Sequence, residues 1–164
     1  MNSPKILVVD DNPSDLALVV AALSDANYTL VTEVDSRRAL KRFEDEGPWH
    51  LVISDLKMPA IDGLTLLNKI KARDPLVETI IITGHADTGS AIEALDLGAF
   101  SYLTKPLHPQ ELRHCVGRAL ERHRLTGVAG AREDQIKAAQ LDLSDAEAFH
   151  FLYLFAVGGS SFQS

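Results

Sequence analysis

The sequence has few of the features that mark secreted, membrane or nucleic-acid-binding proteins. Cys115 is the only cysteine among 164 residues, which excludes an internal disulfide framework and fits a reducing, cytoplasmic compartment. The sequence contains no basic run that would neutralise several phosphates, and the formal net charge of -7 argues against a surface that binds nucleic acid. The longest apolar stretch, residues 149–157, is too short to span a bilayer. Strand signals already begin at Lys5, which leaves no room for a signal peptide.

What the sequence does contain is a regular alternation of strand and helix signals along residues 3–125. The strands are predicted at 5–9, 29–34, 51–54, 79–82 and 101–104. The helices are predicted from 13 to about 27, from 35 to a stop at Gly47-Pro48, from 63 to Asp74-Pro75, from Thr88 or Ser90 to Gly98, and from 109 to about 125. Five βα units of this spacing predict an α/β fold, a doubly wound parallel sheet with helices on both faces.

The last part of the chain, residues 126–164, has a different character. Thr126 to Gly130 predicts a flexible linker, and Ala131 to Leu141 a helix. An apolar segment rich in aromatic residues follows at 149–157, and it should pack against another surface because it is too apolar to stand in water. We expect a dimerising or docking helix, or the start of a truncated output module. The tail has too few basic residues for a DNA-reading helix.

Four of the predicted strands lead into residues suited to phosphoryl chemistry. The first ends at Asp10 and Asp11, the third at Asp55, the fourth at Thr83 and the fifth at Lys105. Ligands of open parallel sheets bind outside the carboxyl ends of the strands, so these side chains should share one pocket. Clustered carboxylates raise one another's pKa unless a cation is present, and Mg²⁺ prefers such oxygen ligands. Taken alone, Asp55 could be a helix-capping or turn aspartate, Asp10 and Asp11 a solvated acidic turn, and Lys105 a surface lysine before a proline.

Four motifs in order give this segment a family resemblance. They are Val-Val-Asp-Asp-Asn, Ser-Asp-Leu-Lys-Met-Pro-Ala-Ile-Asp-Gly, Ile-Thr-Gly-His-Ala and Gly-Ala-Phe-Ser-Tyr-Leu-Thr-Lys-Pro, within residues 8–12, 54–63, 82–86 and 98–106. As a set they resemble the receiver domain of two-component response regulators, over about residues 3–125. The resemblance implies a flavodoxin-like sheet of strand order 2-1-3-4-5.

The resemblance also implies a role for each residue of the pocket. Asp55 would be the phosphoacceptor, and Lys105 would balance the charge of the phosphoryl group. Asp11 and Asp55 would bind Mg²⁺ directly, with the backbone carbonyl of Lys57 as a third ligand, while Asp10 would act largely through water. Thr83 would hydrogen-bond a phosphoryl oxygen.

The resemblance also implies features next to these pocket residues. Gly84 would leave its N–H accessible to another phosphoryl oxygen. Tyr102 matches the aromatic switch position that turns inward as the threonine moves, although a strand tyrosine is more often simple packing. A cis peptide is implied between Lys105 and Pro106.

The implied function is a signalling switch, which catalyses only its own phosphorylation and dephosphorylation. The donor would be a histidine kinase or phosphotransfer protein that docks near the first helix and the loop after the fifth strand. Phosphorylation would change the face formed by helix four, strand five and helix five, and a homodimer could form through that face or through the tail. Lys57 and His85 flank the route of water to the phosphorylated aspartate, so we hypothesise that they set the phosphate lifetime; two solvated loop side chains are the alternative.

Three other functions remain to be weighed against this one. A Mg²⁺-dependent phosphohydrolase with an aspartyl-phosphate intermediate would need a second aspartate two residues after its nucleophile, and Asp55 is followed by Lys57 at that offset. A flavin-binding protein of the same fold is disfavoured, because the loop after strand one lacks the hydroxyl-rich and glycine-rich phosphate cradle that it would need. A degenerate receiver that only mediates contacts should lack one of the acidic, threonine or lysine positions.

Overall fold

The computed structural model describes residues 3–141, with side chains described for residues 3–130. Five strands and five helices alternate along the chain. The strands are β1 (Lys5–Val9), β2 (Thr29–Glu33), β3 (Leu51–Ser54), β4 (Glu78–Thr83) and β5 (Ser101–Thr104). The helices are α1 (Pro13–Leu23), α2 (Ser36–Asp45), α3 (Gly63–Arg73), α4 (Thr88–Asp96) and α5 (Pro109–Leu141). The chain divides into two units after Arg124.

All strands pair in parallel in the order β2-β1-β3-β4-β5, which confirms the predicted fold. The interior strands β1, β3 and β4 are almost entirely buried, whereas β2 at one edge has only exposed and half-buried residues. Apolar side chains of α1 and α5 cover one face of the sheet, and those of α2, α3 and α4 cover the other. This arrangement leaves the carboxyl ends of β1, β3, β4 and β5 side by side at one edge.

Short polar side chains fix where the helices at this edge begin. The side chain of Asn12 accepts a hydrogen bond from the backbone of Ser14, directly before Pro13 opens α1. Asp62 and Asp87 cap α3 and α4 in the same way. These three βα loops are therefore closed by their own side chains, which holds the residues at the ends of β1, β3 and β4 in place.

Two predicted helix boundaries are wrong. Helix α1 ends at Leu23 and not near residue 27, because the Ser24 hydroxyl donates to the carbonyl of Ala21 and the chain turns there toward β2. Helix α5 continues through residues 126–130, where the sequence predicts a linker. Gly127 and Gly130 weaken a helix without forbidding it, and neither has a positive φ.

Other predictions for this part of the chain are confirmed or stay open. The Lys105–Pro106 peptide is cis, as the resemblance implies, and so is Gly47–Pro48. Cys115 is a buried core residue of α5. Within the described residues no helix has the length and apolarity needed to cross a membrane. The predictions for the apolar segment of the tail lie outside the described residues.

Candidate functional site

The register of the sheet brings three of the predicted carboxylates together. Val9 pairs with Ser54, so Asp10 and Asp55 follow at neighbouring strand ends, and the Asp55 N–H donates to the carbonyl of Val9 at 2.9 Å. Carboxylate oxygens of Asp10, Asp11 and Asp55 lie within 4.8 Å of one another. Asp10 and Asp55 are buried and Asp11 is exposed. Such a set of hard oxygen donors with one open side fits a Mg²⁺ ion.

The buried aspartates are held by the backbone of their own loops. One oxygen of Asp10 accepts from the N–H of Asn12 at 2.9 Å, and one oxygen of Asp55 accepts from the N–H of Leu56 at 2.8 Å. Burial raises the pKa of Asp10, and the charge of Asp55 adds to this, although the hydrogen bonds from Asn12 and Lys105 work in the opposite direction. A bound cation would therefore stabilise the ionised form of these carboxylates.

Lys105 brings the positive charge to the cluster. Its Nζ lies 2.7 Å from Asp15 Oδ2, 3.0 Å from Asp10 Oδ2 and 3.5 Å from Asp55 Oδ2. Burial alone would lower the pKa of Lys105, but the hydrogen bonds to Asp15 and Asp10 outweigh it and the net pKa is raised. The ammonium is therefore protonated, and its contacts extend from α1 to the residue that follows β3.

Thr83 and Tyr102 lie on neighbouring strands beside this cluster. Thr83 is fully buried, and its hydroxyl oxygen accepts the N–H of His85 at 3.0 Å. Tyr102 is half-buried, and its hydroxyl is enclosed and lies near Asp87. Burial raises the pKa of the phenol. Gly84 is exposed and faces the Lys105 side chain.

Lys57 and His85 are exposed on the loops that follow β3 and β4. Hydrogen bonds from Ser90 lower the pKa of Asp87, and the charge of Lys57 lowers it further. Lys57 therefore lies close enough to act electrostatically across the two loops at the rim of the site.

Two residues with a clear place in this geometry are not among the predicted site residues. Asp15 makes the shortest contact to Lys105, and its signal in the sequence is its position in the first turn of α1, which starts at the site edge. Gly63 is buried beneath Asp55, where a Cβ would lie 2.2 Å from the Asp55 carbonyl oxygen. The motif Asp62-Gly63 contains this glycine, but the sequence does not reveal what it touches.

Similarity to known proteins identifies the family of this chain. The family profile described as "Response regulator receiver domain" matches residues 6–117. The chain belongs to the response regulator receiver family. Receivers are domains of signalling proteins that partner with histidine kinases and generally bind Mg²⁺.

Curated relatives of this receiver are longer proteins. The DNA-binding transcriptional regulator NtrC of Escherichia coli (strain K12) is 36% identical over 118 residues, which are 72% of this chain and 25% of NtrC. The alkaline phosphatase synthesis transcriptional regulatory protein PhoP of Bacillus subtilis is 28% identical over 141 residues, 86% of this chain and 58% of PhoP. The chain thus spans about a quarter of NtrC and somewhat more than half of PhoP.

Solved receiver structures match the fold closely. A response regulator receiver domain protein from Clostridium thermocellum superposes with a TM-score of 0.70 at 35% identity, covering 75% of this chain and 98% of that one. The beryllofluoride-activated NtrC4 receiver domain dimer gives a TM-score of 0.69 at 30% identity, covering 73% and 98%.

Proposed function

We propose that this receiver accepts a phosphoryl group on Asp55 from the phosphohistidine of a histidine kinase or phosphotransfer protein, in the cytoplasm and with Mg²⁺. An oxygen of Asp55 forms the new bond to phosphorus while the bond from phosphorus to the donor imidazole breaks, and the imidazole leaves with that electron pair. Water later hydrolyses the acyl phosphate and restores the carboxylate.

One observation carries this proposal: the buried Asp55 carboxylate lies between Lys105 Nζ, at 3.5 Å, and the carboxylates of Asp10 and Asp11. Phosphoryl transfer needs positioning and charge neutralisation more than covalent help from the protein, and this surrounding offers both. Asp11, Asp55 and the backbone carbonyl of Lys57 would bind Mg²⁺ directly, and Asp10 through water. The bound ion would neutralise the charge of the phosphoryl oxygens.

A cavity of about 260 Å³ beside the site supports a protein as phosphodonor. It opens between α1 and the β5–α5 loop, and its walls include Leu18, Pro106 and Leu107 as well as Asp55. Leu18 is 57% exposed and adds apolar surface to the wall of this cavity. A partner helix packed here would bring its histidine to the acceptor.

The output would pass through the face formed by α4, β5 and the first turns of α5. Phosphorylation adds roughly two negative charges and three acceptor oxygens, which would draw the Thr83 hydroxyl from the His85 N–H and give Tyr102 room to move inward. Ile92 and Leu95 of α4 are more than half exposed and available to a partner or a second copy. Dimerisation through this face or through residues 126–164 is part of the proposal.

Incubation with Mg²⁺ and acetyl phosphate, followed by intact mass spectrometry, tests the phosphoacceptor. We expect one phosphoryl adduct on the wild type, none on Asp55→Asn, and a strongly slowed adduct on Asp11→Asn, which keeps the acceptor and loses a metal ligand. An adduct that persists in Asp55→Asn would refute the assignment. Repeated turnover of a phosphoester would favour the phosphohydrolase instead.

The phosphate lifetime tests the proposed role of the rim residues. Lys57 and His85 flank the acceptor from two loops, so we expect Lys57→Asn and His85→Ala to change the dephosphorylation rate of the loaded protein, by roughly threefold or more. Unchanged decay of the adduct in both variants would leave these residues as solvated loop side chains.

A further inference from the structure

Asp15 is the unexpected partner of Lys105. Its Oδ2 lies 2.7 Å from Nζ, closer than the oxygens of Asp10 at 3.0 Å and Asp55 at 3.5 Å. An ammonium group has three N–H donors, and here each is directed to a carboxylate. The two side chains of the Lys105–Asp15 pair are 23% and 28% exposed, so solvent screens this contact only in part.

The position of Asp15 in α1 does not by itself explain this contact. Asn12 caps the helix and Pro13 is its first residue, so Asp15 occupies the third helical position. An acidic residue there commonly turns back to the N–H of the capping residue. In this protein the Asn12 N–H already donates to Asp10 at 2.9 Å. The Asp15 carboxylate therefore has no capping task to fill, and it reaches Lys105.

We propose that Asp15 is a positioning residue that holds Lys105 back toward α1 in the unphosphorylated protein and thereby slows phosphorylation of Asp55. This inference rests on the proposed function, and the bonds made and broken are those given there. A phosphoryl oxygen at Asp55 would compete for the Lys105 ammonium with Asp15, its shortest contact. The longest of its three contacts is the one to the acceptor, which sets the direction in which the ammonium would move.

The expected effect is faster loading when the carboxylate is removed. Asp15→Asn should raise the rate of adduct formation roughly three- to tenfold, the size of one ordinary net hydrogen bond that need not be broken. Asp15→Glu keeps the carboxylate and should load nearly as slowly as the wild type. Asp25→Asn removes one exposed acidic charge from the turn after α1 without touching Lys105, and it should leave the rate unchanged.

Two small donors separate positioning from simple charge repulsion. Acetyl phosphate approaches as a dianion and phosphoramidate as a monoanion. Release of Lys105 should accelerate both reactions by the same factor in Asp15→Asn. An acceleration confined to acetyl phosphate would mean that Asp15 only repels anions, and it would overturn the positioning role.

The remaining outcomes are equally decisive. A rate in Asp15→Asn equal to or below that of a wild type that does load on Asp55 refutes this inference and leaves the proposed function intact. A wild type that neither donor phosphorylates refutes the proposed function itself. Thermal melting of each variant before the assay verifies that all proteins compared are folded.

Discussion

At the scale of single residues, Gly63 determines how tightly the loop after β3 folds under the acceptor. Its N–H donates to the Leu56 carbonyl at 2.7 Å. A Cβ at this position would lie 2.2 Å from the Asp55 carbonyl oxygen and 2.9 Å from the Leu56 Cα, both atoms of the main chain that cannot rotate away. The absence of a side chain here thus allows α3 to start directly against Asp55.

Gly63→Ala should consequently be costly. We expect the free energy of unfolding to fall by about 2–4 kcal/mol, because the new methyl group forces the backbone of the acceptor loop to shift. Urea denaturation measures this. Gly84→Ala is the matched control, since its nearest contact would be a Lys105 side-chain carbon at 3.8 Å, and equal losses in both variants would contradict the argument.

Residue by residue, the strand-end pattern predicted which charged side chains at the strand ends meet. Asp10, Asp11, Asp55 and Lys105 surround one point, because parallel strands in register deliver the residues that follow them to one edge. Asp15 escaped prediction because it belongs to a helix. Its approach to Lys105 depends on the direction of α1, which is set by packing and cannot be taken from periodicity.

At the scale of elements, the opposite edge of the sheet has its own polar contact. His50, just before β3, accepts the Lys5 N–H at Nδ1 over 3.0 Å, and its ring lies 5.1 Å from that of His123 on α5. Burial lowers the pKa of His50, and the charge of His123 lowers it further. The neutral ring therefore joins the start of β1 to the start of β3.

This contact predicts a pH-dependent stability. The pKa of His50 in the folded protein lies below the ordinary value of 6.5, so the unfolded chain binds more protons in that range and stability is lost as the pH falls through it. Between pH 7.5 and 5.5 we expect His50→Asn, whose side-chain oxygen can still accept the Lys5 N–H, to lose about 3 °C less in Tm than the wild type.

Differential scanning fluorimetry across this pH range provides the measurement. His114→Asn replaces an exposed histidine of α5 and should keep the wild-type slope. Identical slopes in all three proteins would show that His50 does not contribute.

Element boundaries show why local sequence predicts some ends better than others. The helices α2 and α3 end where Gly47-Pro48 and Asp74-Pro75 forbid continuation. The end of α1 and the continuation of α5 lack such a signal. At the end of α1 the Ser24 hydroxyl donates to the Ala21 carbonyl, and in α5 Gly127 and Gly130 only weaken the helix. Composition alone therefore gives no sharp boundary at either place.

At the scale of the whole molecule, the crowded carboxylates should couple metal binding to stability. The proposed Mg²⁺ ion would bind the folded arrangement of Asp10, Asp11 and Asp55 and not the unfolded chain, so it should stabilise the protein by about 2.7 kcal/mol at a concentration one hundred times its Kd. Thermal melts with Mg²⁺ and with a chelator test this. Asp11→Asn should abolish most of the shift, whereas Asp25→Asn, an exposed aspartate after α1, should retain it. A full shift in Asp11→Asn would place the ion elsewhere.

The partnership of Lys105 with three aspartates has a consequence for what the site transmits. With Asp11 included, four carboxylates face one ammonium. A bound divalent cation would offset most of the excess negative charge, and a phosphoryl group brings roughly two negative charges while it consumes one carboxylate. The net charge then changes by only about one unit on phosphorylation. The phosphorylated state would then differ mainly in which oxygens bind the Lys105 ammonium and the Thr83 hydroxyl. Ionic strength should therefore change the rate of phosphorylation far more than the conformational response to it.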